Sequence, residues 1–419
     1  MSKHAHIEDL ADLRDDLDRK YHACWYERML SAPVDAKKLP VAMRVLGALC
    51  VIGAAFAIYE VILAIMAAVS LFDGGGMRDY DISTTVVTFL RLADIVLLAL
   101  AFSVIGIRLL LNQRRYAAVV IYAVYVLLLI GALCALMLYG VNIRLLIYVG
   151  LFALLVALQV YLDPSLRGER ELQRKLHDSE VREEQEEGVL GRDLSGRGYM
   201  ALNFFNLFWL FVVASILGDV METIVHVTIV DPGQWQDRAG LLFGPFSPIY
   251  GCGAILMTLA LNRFYKSTVI LIFFVSAIIG GAFEFFVSLF MQYTFGAVAW
   301  NYTGQWLSID GRTCGWAMGC WGLLGVAWIK LILPGMLWLV NKIPWNWRYV
   351  VTTIAALLMA VDCVMTLQAL DCWYERLSHD PVDTPIQHFY ADHFDDAYMA
   401  DRFQSMTVDP GSAVRGGRV

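Results

Sequence analysis

Residues 268–295 read TVILIFFVSAIIGGAFEFFVSLFMQYTF, a run of 28 residues with one charged side chain, Glu284. As an α-helix it spans roughly 40 Å at 1.5 Å per residue, enough to cross the hydrocarbon core of a bilayer. Blocks of the same kind recur at about 43–71, 85–111, 116–139, 143–162, 200–230, 240–262, 313–340 and 349–370. The expected fold is therefore an all-α integral membrane protein with about nine transmembrane helices. The bulk composition agrees: 58% of residues are hydrophobic and 17% charged, against about 25% charged in soluble proteins.

The segments between and beyond the apolar blocks divide the chain. Residues 1–42 form an N-terminal segment, with Leu10, Leu13, Leu17, Tyr21 and Cys24 at the spacing of an amphipathic helix. Its charges leave no apolar core for a cleavable signal peptide. Residues 43–162 make a four-helix block, and 163–198 a charged connector whose alternating signs suit a solvated helix. Residues 199–370 make a five-segment block, and 371–419 an acidic tail whose end, from Gly411, reads as disordered. The string Cys24-Trp25-Tyr26-Glu27-Arg28 recurs as Cys372-Trp373-Tyr374-Glu375-Arg376. The transmembrane blocks beside the two copies show no matching repeat. The net charge of −7 gives no support for nucleic-acid binding, and without a CxxC pair the eight cysteines read as small apolar fillers.

Basic residues sort onto alternate loops. Eight Lys and Arg lie up to Arg44 and seven in the connector, whereas Arg78, Arg144, Arg238 and Arg312 stand singly on the opposite loops. The positive-inside rule then places the N-terminus in the cytoplasm and the tail outside.

One block does not suit a plain helix. Within Leu241–Asn262 lie Gly244, Pro245, Pro248, Gly251 and Gly253. Such density frees backbone groups that hydrocarbon does not tolerate unless protein or water covers them. A broken or re-entrant segment lining a polar cavity is expected. In the preceding block Ser215, Asp219, Glu222 and His226 are four, three and four residues apart, on one helix stripe. In 268–295, Ala277, Gly281, Glu284 and Ser288 form a stripe of small and polar residues, and Gly315, Gly319, Gly322 and Gly325 form another face, with Lys330 beyond. Ionisable groups at membrane depth face a bundle interior or a wet cavity. Asp219, Glu222, His226, Arg238, Tyr250, Glu284, Asn301, Arg312 and Lys330 are the candidate substrate- or ion-binding residues, with Arg312 and Lys330 as counter-charges to the two glutamates. Buried ion pairs that fix helix register are the plainer account of the same pattern. No metal site or cofactor is expected, because no second histidine stands near His226.

Ser215-x-x-Gly218-x-x-x-Glu222, followed by Arg238-x-Gly240-x-x-x-Gly244-Pro245-x-x-Pro248-Ile249-Tyr250-Gly251-x-Gly253, resembles a bacterial family called putative ABC-transporter type IV, the CmpB-like ABC transporter permeases. The resemblance continues through Glu284, Trp300-Asn301-Tyr302-Thr303, Gly311-Arg312 and Trp321-Gly322, over roughly residues 200–340. The chain departs from the family at Asp219, usually Trp, and at Asn301, usually Asp. The resemblance implies a permease of the bacterial cytoplasmic membrane. The chain has no Walker A loop, so ATP hydrolysis would fall to a separate cytoplasmic ATPase subunit. Two other readings stand beside transport: an intramembrane enzyme using Glu222 and Glu284 as acid and base on a lipid-like substrate, and a membrane scaffold or sensor.

The sidedness is tested by single cysteines at Ser83, Ser179 and Ser378 in a cysteine-free background, with an impermeant thiol reagent on intact cells. Positions 83 and 378 should label and 179 should not. Labelling at 179, or protection at 378, would overturn the nine-crossing arrangement.

Overall fold

The computed structural model describes residues 40–73, 82–111, 114–162, 198–200, 202, 204–340, 342–343 and 345–415. The predicted amphipathic stretch from Leu10 to Cys24, nearly all of the connector 163–198 and the first copy of the repeated string lie outside the described residues. The chain divides into two compact units: residues 1–136 with 142–173, and residues 137–141 with 174–419.

The first unit contains α1 (Val41–Asp73), α2 (Ile82–Leu110), α3 (Arg114–Tyr139, up to residue 136) and α4 (Ile143–Leu162). Its core joins Leu98, Ile105 and Leu109 of α2 to Ile121, Val124 and Leu128 of α3 and to Leu155 and Leu158 of α4. At the α1–α2 contact Gly47 and Gly106 let two backbones touch. A Cβ on Gly106 would stand 2.5 Å from the Gly47 carbonyl oxygen, so small residues set the approach, as in other membrane helix pairs.

The second unit contains α5 (Phe204–Val225, continued by a π turn at His226–Val230), α6 (Pro248–Leu261) and α7 (Val269–Phe295). They are followed by α8 (Gly315–Ala327), a π turn at Trp328–Ile332, α9 (Leu333–Val340) and α10 (Trp345–Leu377). Its core is built from Leu210, Ala214, Met257, Ile272, Trp321, Trp328 and Leu333. Seven described helices are long and apolar enough to cross a membrane. The count of nine is not reached among the described residues. The fourth predicted block holds a shorter apolar helix, Ile143–Val156, and the block 240–262 holds α6, of 14 residues. Both units carry large apolar side chains outward, among them Leu97, Leu217, Phe274, Ile278 and Leu358, and bury Asp94, Asp219, Glu284, Arg312, Asp362 and Asp371. That inverts the soluble pattern and matches helices in lipid. The chain is a multi-pass membrane protein.

α6 is short because the chain ahead of it is unwound. The Ser247 N–H donates to the Ser215 carbonyl (3.1 Å), so the extended segment reaches the middle of α5 before Pro248 starts the helix. Proline suits that first position because it has no N–H to satisfy. At the far end, the Asn262 amide oxygen accepts from the N–H groups of Tyr199 and Met200 (3.0 Å each), and its Nδ2 donates to the Met200 carbonyl (2.9 Å). The unwound stretch and α6 together therefore run the length of α5.

The tail corrects the expectation of a disordered end for residues 411–415; residues 416–419 lie outside the described residues. It folds into α11 (Pro385–His393) and α12 (Asp396–Arg402), and Thr407–Val408 (β2) pairs antiparallel with Ala297–Val298 (β1). Ala413 and Val414 are buried, and the Arg415 guanidinium binds the buried Asp371 carboxylate. The Val141 N–H donates to the other Asp371 oxygen (2.9 Å). Apolar residues at helical spacing, Tyr390, Phe394, Met399 and Phe403, dock the tail on Phe295, Ala369 and Leu370. The second copy of the repeated string serves this docking: Cys372, Trp373 and Tyr374 are buried, and Arg376 pairs with Asp396 (2.7 Å).

Arg402 of α12 carries the closest hold on the unwound segment. It pairs with Asp237 (2.7 Å) and donates to the carbonyls of Leu241 (2.8 Å) and Gly244 (2.5 Å). Arg402→Met keeps the stem and removes three charge-assisted bonds; it should cost about 3 kcal/mol or more. Arg376→Met, which loses the half-exposed Asp396 and one carbonyl, that of Phe394 (2.9 Å), should cost less, about 2 kcal/mol. Melting of the purified variants in detergent checks the order.

Candidate functional site

Among the described residues the second unit brings Arg238, Glu222 and Glu284 into one chain of contacts. Glu222, half-buried on α5, lies 3.6 Å from Arg238 Nη1 on the unwound segment and faces Tyr250 of α6. The Tyr250 ring stacks on Trp321 of α8, with centroids 6.4 Å apart. Trp321 in turn lies beside Glu284 of α7. Glu284, 7% exposed, accepts from the Tyr302 hydroxyl on Oε1 and from Thr313 Oγ1 on Oε2, each at 2.9 Å. The sequence Arg238–Glu222–Tyr250–Trp321–Glu284–Tyr302 thus links both glutamates through two aromatic rings.

Glycine makes this packing possible. A Cβ at Gly218 would stand 2.2 Å from the Tyr250 ring, and one at Gly280 would stand 2.3 Å from Trp321. Each ring fills the space of a missing side chain. Gly251 and Gly253 serve the same end, facing Ser215 and Trp321, while Gly244 adopts φ +70° as the segment turns towards Pro245.

The predicted counter-charges fall elsewhere. Arg312 is buried, but it binds Asp310 (2.8 Å) and Ser288 (3.3 Å) and lies over the Tyr293 ring. Lys330 is exposed and donates to the carbonyls of Tyr265 (2.6 Å) and Ser267 (3.3 Å), closing the turn before α7. Neither pairs with a glutamate. Glu222 takes Arg238 instead, and Glu284 is held by neutral donors. The reason is positional: Lys330 follows Gly315 by four helical turns, at the other end of its helix from the loop that supplies Tyr302 and Thr313. Asn301 is also outside the contact chain; its exposed amide oxygen accepts from the Thr303 N–H (2.9 Å) and hydroxyl (2.6 Å) in a local turn.

Asp219 and His226 flank Glu222. Asp219 is buried, and its Oδ1 has no donor among the described residues. His226 Nδ1 lies 3.3 Å from the Gln234 carbonyl. No group of three His, Cys, Asp or Glu among the described residues is arranged to hold a metal ion. Tyr302 and Thr313, which sequence reasoning did not select, are the direct partners of Glu284. Their signal was Tyr302 within the Trp-Asn-Tyr-Thr string. Burial and the neighbouring Glu284 carboxylate raise the Tyr302 phenol well above its ordinary pKa, which keeps it a donor at physiological pH. Beside the cluster lies an apolar hollow of about 100 Å³ between α5, α6 and α8, lined by Leu217, Met221, Met257 and Trp328 and reaching the cluster at Tyr250.

Residues 209–367 match the profile of the family described as putative ABC-transporter type IV. The match covers every contact of the chain from Glu222 to Tyr302 and runs into α10, further than the resemblance read from sequence. No curated protein and no solved structure matches the chain.

Tyr302→Phe leaves one oxygen of a buried carboxyl without a partner and should destabilise by about 1–3 kcal/mol. Asn301→Ala, exposed and local, should stay within about 0.5 kcal/mol. Thermal melting of the two variants separates them.

Proposed function

We propose that the chain is the membrane-embedded component of a transporter of the bacterial cytoplasmic membrane, working with a separate cytoplasmic ATPase. In this reading the N-terminus and connector face the cytoplasm, and the solute meets the protein at Glu222, Tyr250 and Glu284. The observation that carries it is the coincidence of the family match with two carboxylates joined beside an unwound segment. Broken helices are a recurrent way to build solute sites at membrane depth, because freed backbone groups and helix ends can coordinate. Glu284, held by neutral donors, suits a solute that brings a positive charge or hydrogen-bond donors. The acid–base reading on a lipid-like substrate draws support from the apolar hollow that ends at Tyr250.

The ATPase would dock on the connector or on the turn around Arg263 and Lys266. Affinity purification from the native host in mild detergent should recover an ATPase with the chain; repeated recovery without one would overturn this assignment. If Glu222 and Glu284 form the solute site, Glu222→Gln and Glu284→Gln should fold and lose the stabilisation that a bound solute gives by mass action. Mutants that respond fully to a solute that stabilises the wild type would remove both residues from the site.

A further inference from the structure

Asp94 stands apart from everything described above. It lies on α2 in the first unit, 12 residues from Ile82, which puts it roughly 18 Å along the helix and near the middle of a membrane-crossing segment. It is 3% exposed, and neither carboxylate oxygen has a hydrogen-bond partner among the described residues. The carboxyl sits in a notch made by Gly131 of α3, where a Cβ would stand 2.5 Å from Oδ2. Tyr148 of α4 enters the same notch, its hydroxyl 3.2 Å from that Cβ position. Among the described residues the titratable and charged groups facing Asp94 are Arg91 on its own helix, Cys134 on α3 and Tyr148 on α4.

The arrangement of these groups distinguishes the two forms of the carboxyl. Arg91, one turn before Asp94, has Tyr148 beside its guanidinium. With the guanidinium on Tyr148, an ionised Asp94 would be a buried charge without a donor, which is far costlier than a buried neutral carboxyl. The alternative partner for the ionised form is also present, because Arg91 lies at the i,i−3 position, within reach on the same helix face. A metal cation fits poorly. It would find one carboxylate and one phenol where hard cations take six or more oxygens, with a guanidinium beside it.

We propose that Asp94 is a proton-binding site of the first unit. The proton comes from solvent and bonds to the carboxylate. Arg91 rests on Tyr148 while Asp94 is neutral, and turns to Asp94 when the proton leaves.

The test uses the full-length protein in lipid nanodiscs and a hydrophobic carbodiimide, which adds to protonated carboxyl groups in apolar surroundings. Adducts are read by peptide mass spectrometry between about pH 5 and pH 9. An adduct on Asp94 is expected at the acid end, falling roughly tenfold per pH unit above the titration midpoint. Acid-minus-alkaline infrared spectra should show a carboxyl C=O band that Asp94→Asn removes. An Asp94 adduct that does not change with pH would mean a fixed structural carboxyl and overturn the proposal. So would the lack of any Asp94-dependent infrared band, whatever the reagent reaches. Arg91→Gln, which removes the partner of the ionised form, should move the midpoint to higher pH; an unmoved midpoint would refute the exchange of Arg91 between Tyr148 and Asp94.

Discussion

A stretch of chain that is not helical, at the depth of a membrane, has to find every backbone hydrogen bond within the protein. The segment before α6 is under that constraint. The Leu242 N–H donates to Thr366 (2.9 Å) and the Phe243 N–H to Asp362 (3.2 Å), both on α10. Gly240 closes on the Phe246 carbonyl, Ser247 on Ser215 of α5, and Arg402 covers two carbonyls from the tail. Three parts of the chain, far apart in sequence, thus supply the partners of this one unwound segment. The positions of Arg238 and Tyr250, on either side of it, follow.

A second device recurs in both units. Glycine on one helix opens a notch, and a large or polar side chain from another occupies it: Asp94 at Gly131, Tyr250 at Gly218, Trp321 at Gly280. In soluble helices such glycines would cost about 1 kcal/mol each relative to alanine. In lipid, where helix association lacks a hydrophobic drive, close approach around a filled notch replaces it. The notch also decides which polar groups are sealed from the hydrocarbon.

Much of this was legible in the sequence, and the failures have a common cause. Periodicity along one helix is a local property, so the stripes through Glu222 and Glu284 could be read directly, as could the break at Gly244–Pro248. Partner choice depends on where a loop returns. Arg312 precedes Thr313, which binds Glu284, yet its own guanidinium turns to Asp310 and Ser288. Nothing in the spacing of residues 295–313 distinguishes those outcomes. The end of the tail was misread for another reason. From Gly411 its composition reads as disordered, whereas the burial of Ala413 and Val414 depends on partners far away in sequence. Asp94 was passed over because one acidic residue in a long apolar block leaves no pattern; its importance comes from Gly131 and Tyr148 on other helices.

The hold of Arg402 on Leu241 spans 161 positions of sequence. A ribosome adding 5–20 residues per second needs roughly ten to thirty seconds to cover that distance. Throughout that interval the carbonyls of Leu241 and Gly244 await their donor, and Thr366 and Asp362 arrive only shortly before it. The nascent chain therefore has to keep the segment before α6 in water, within the insertion machinery or in a temporary helical form until the last helix and the tail have been made. A chain released before Arg402 is made would carry an opened backbone into the bilayer.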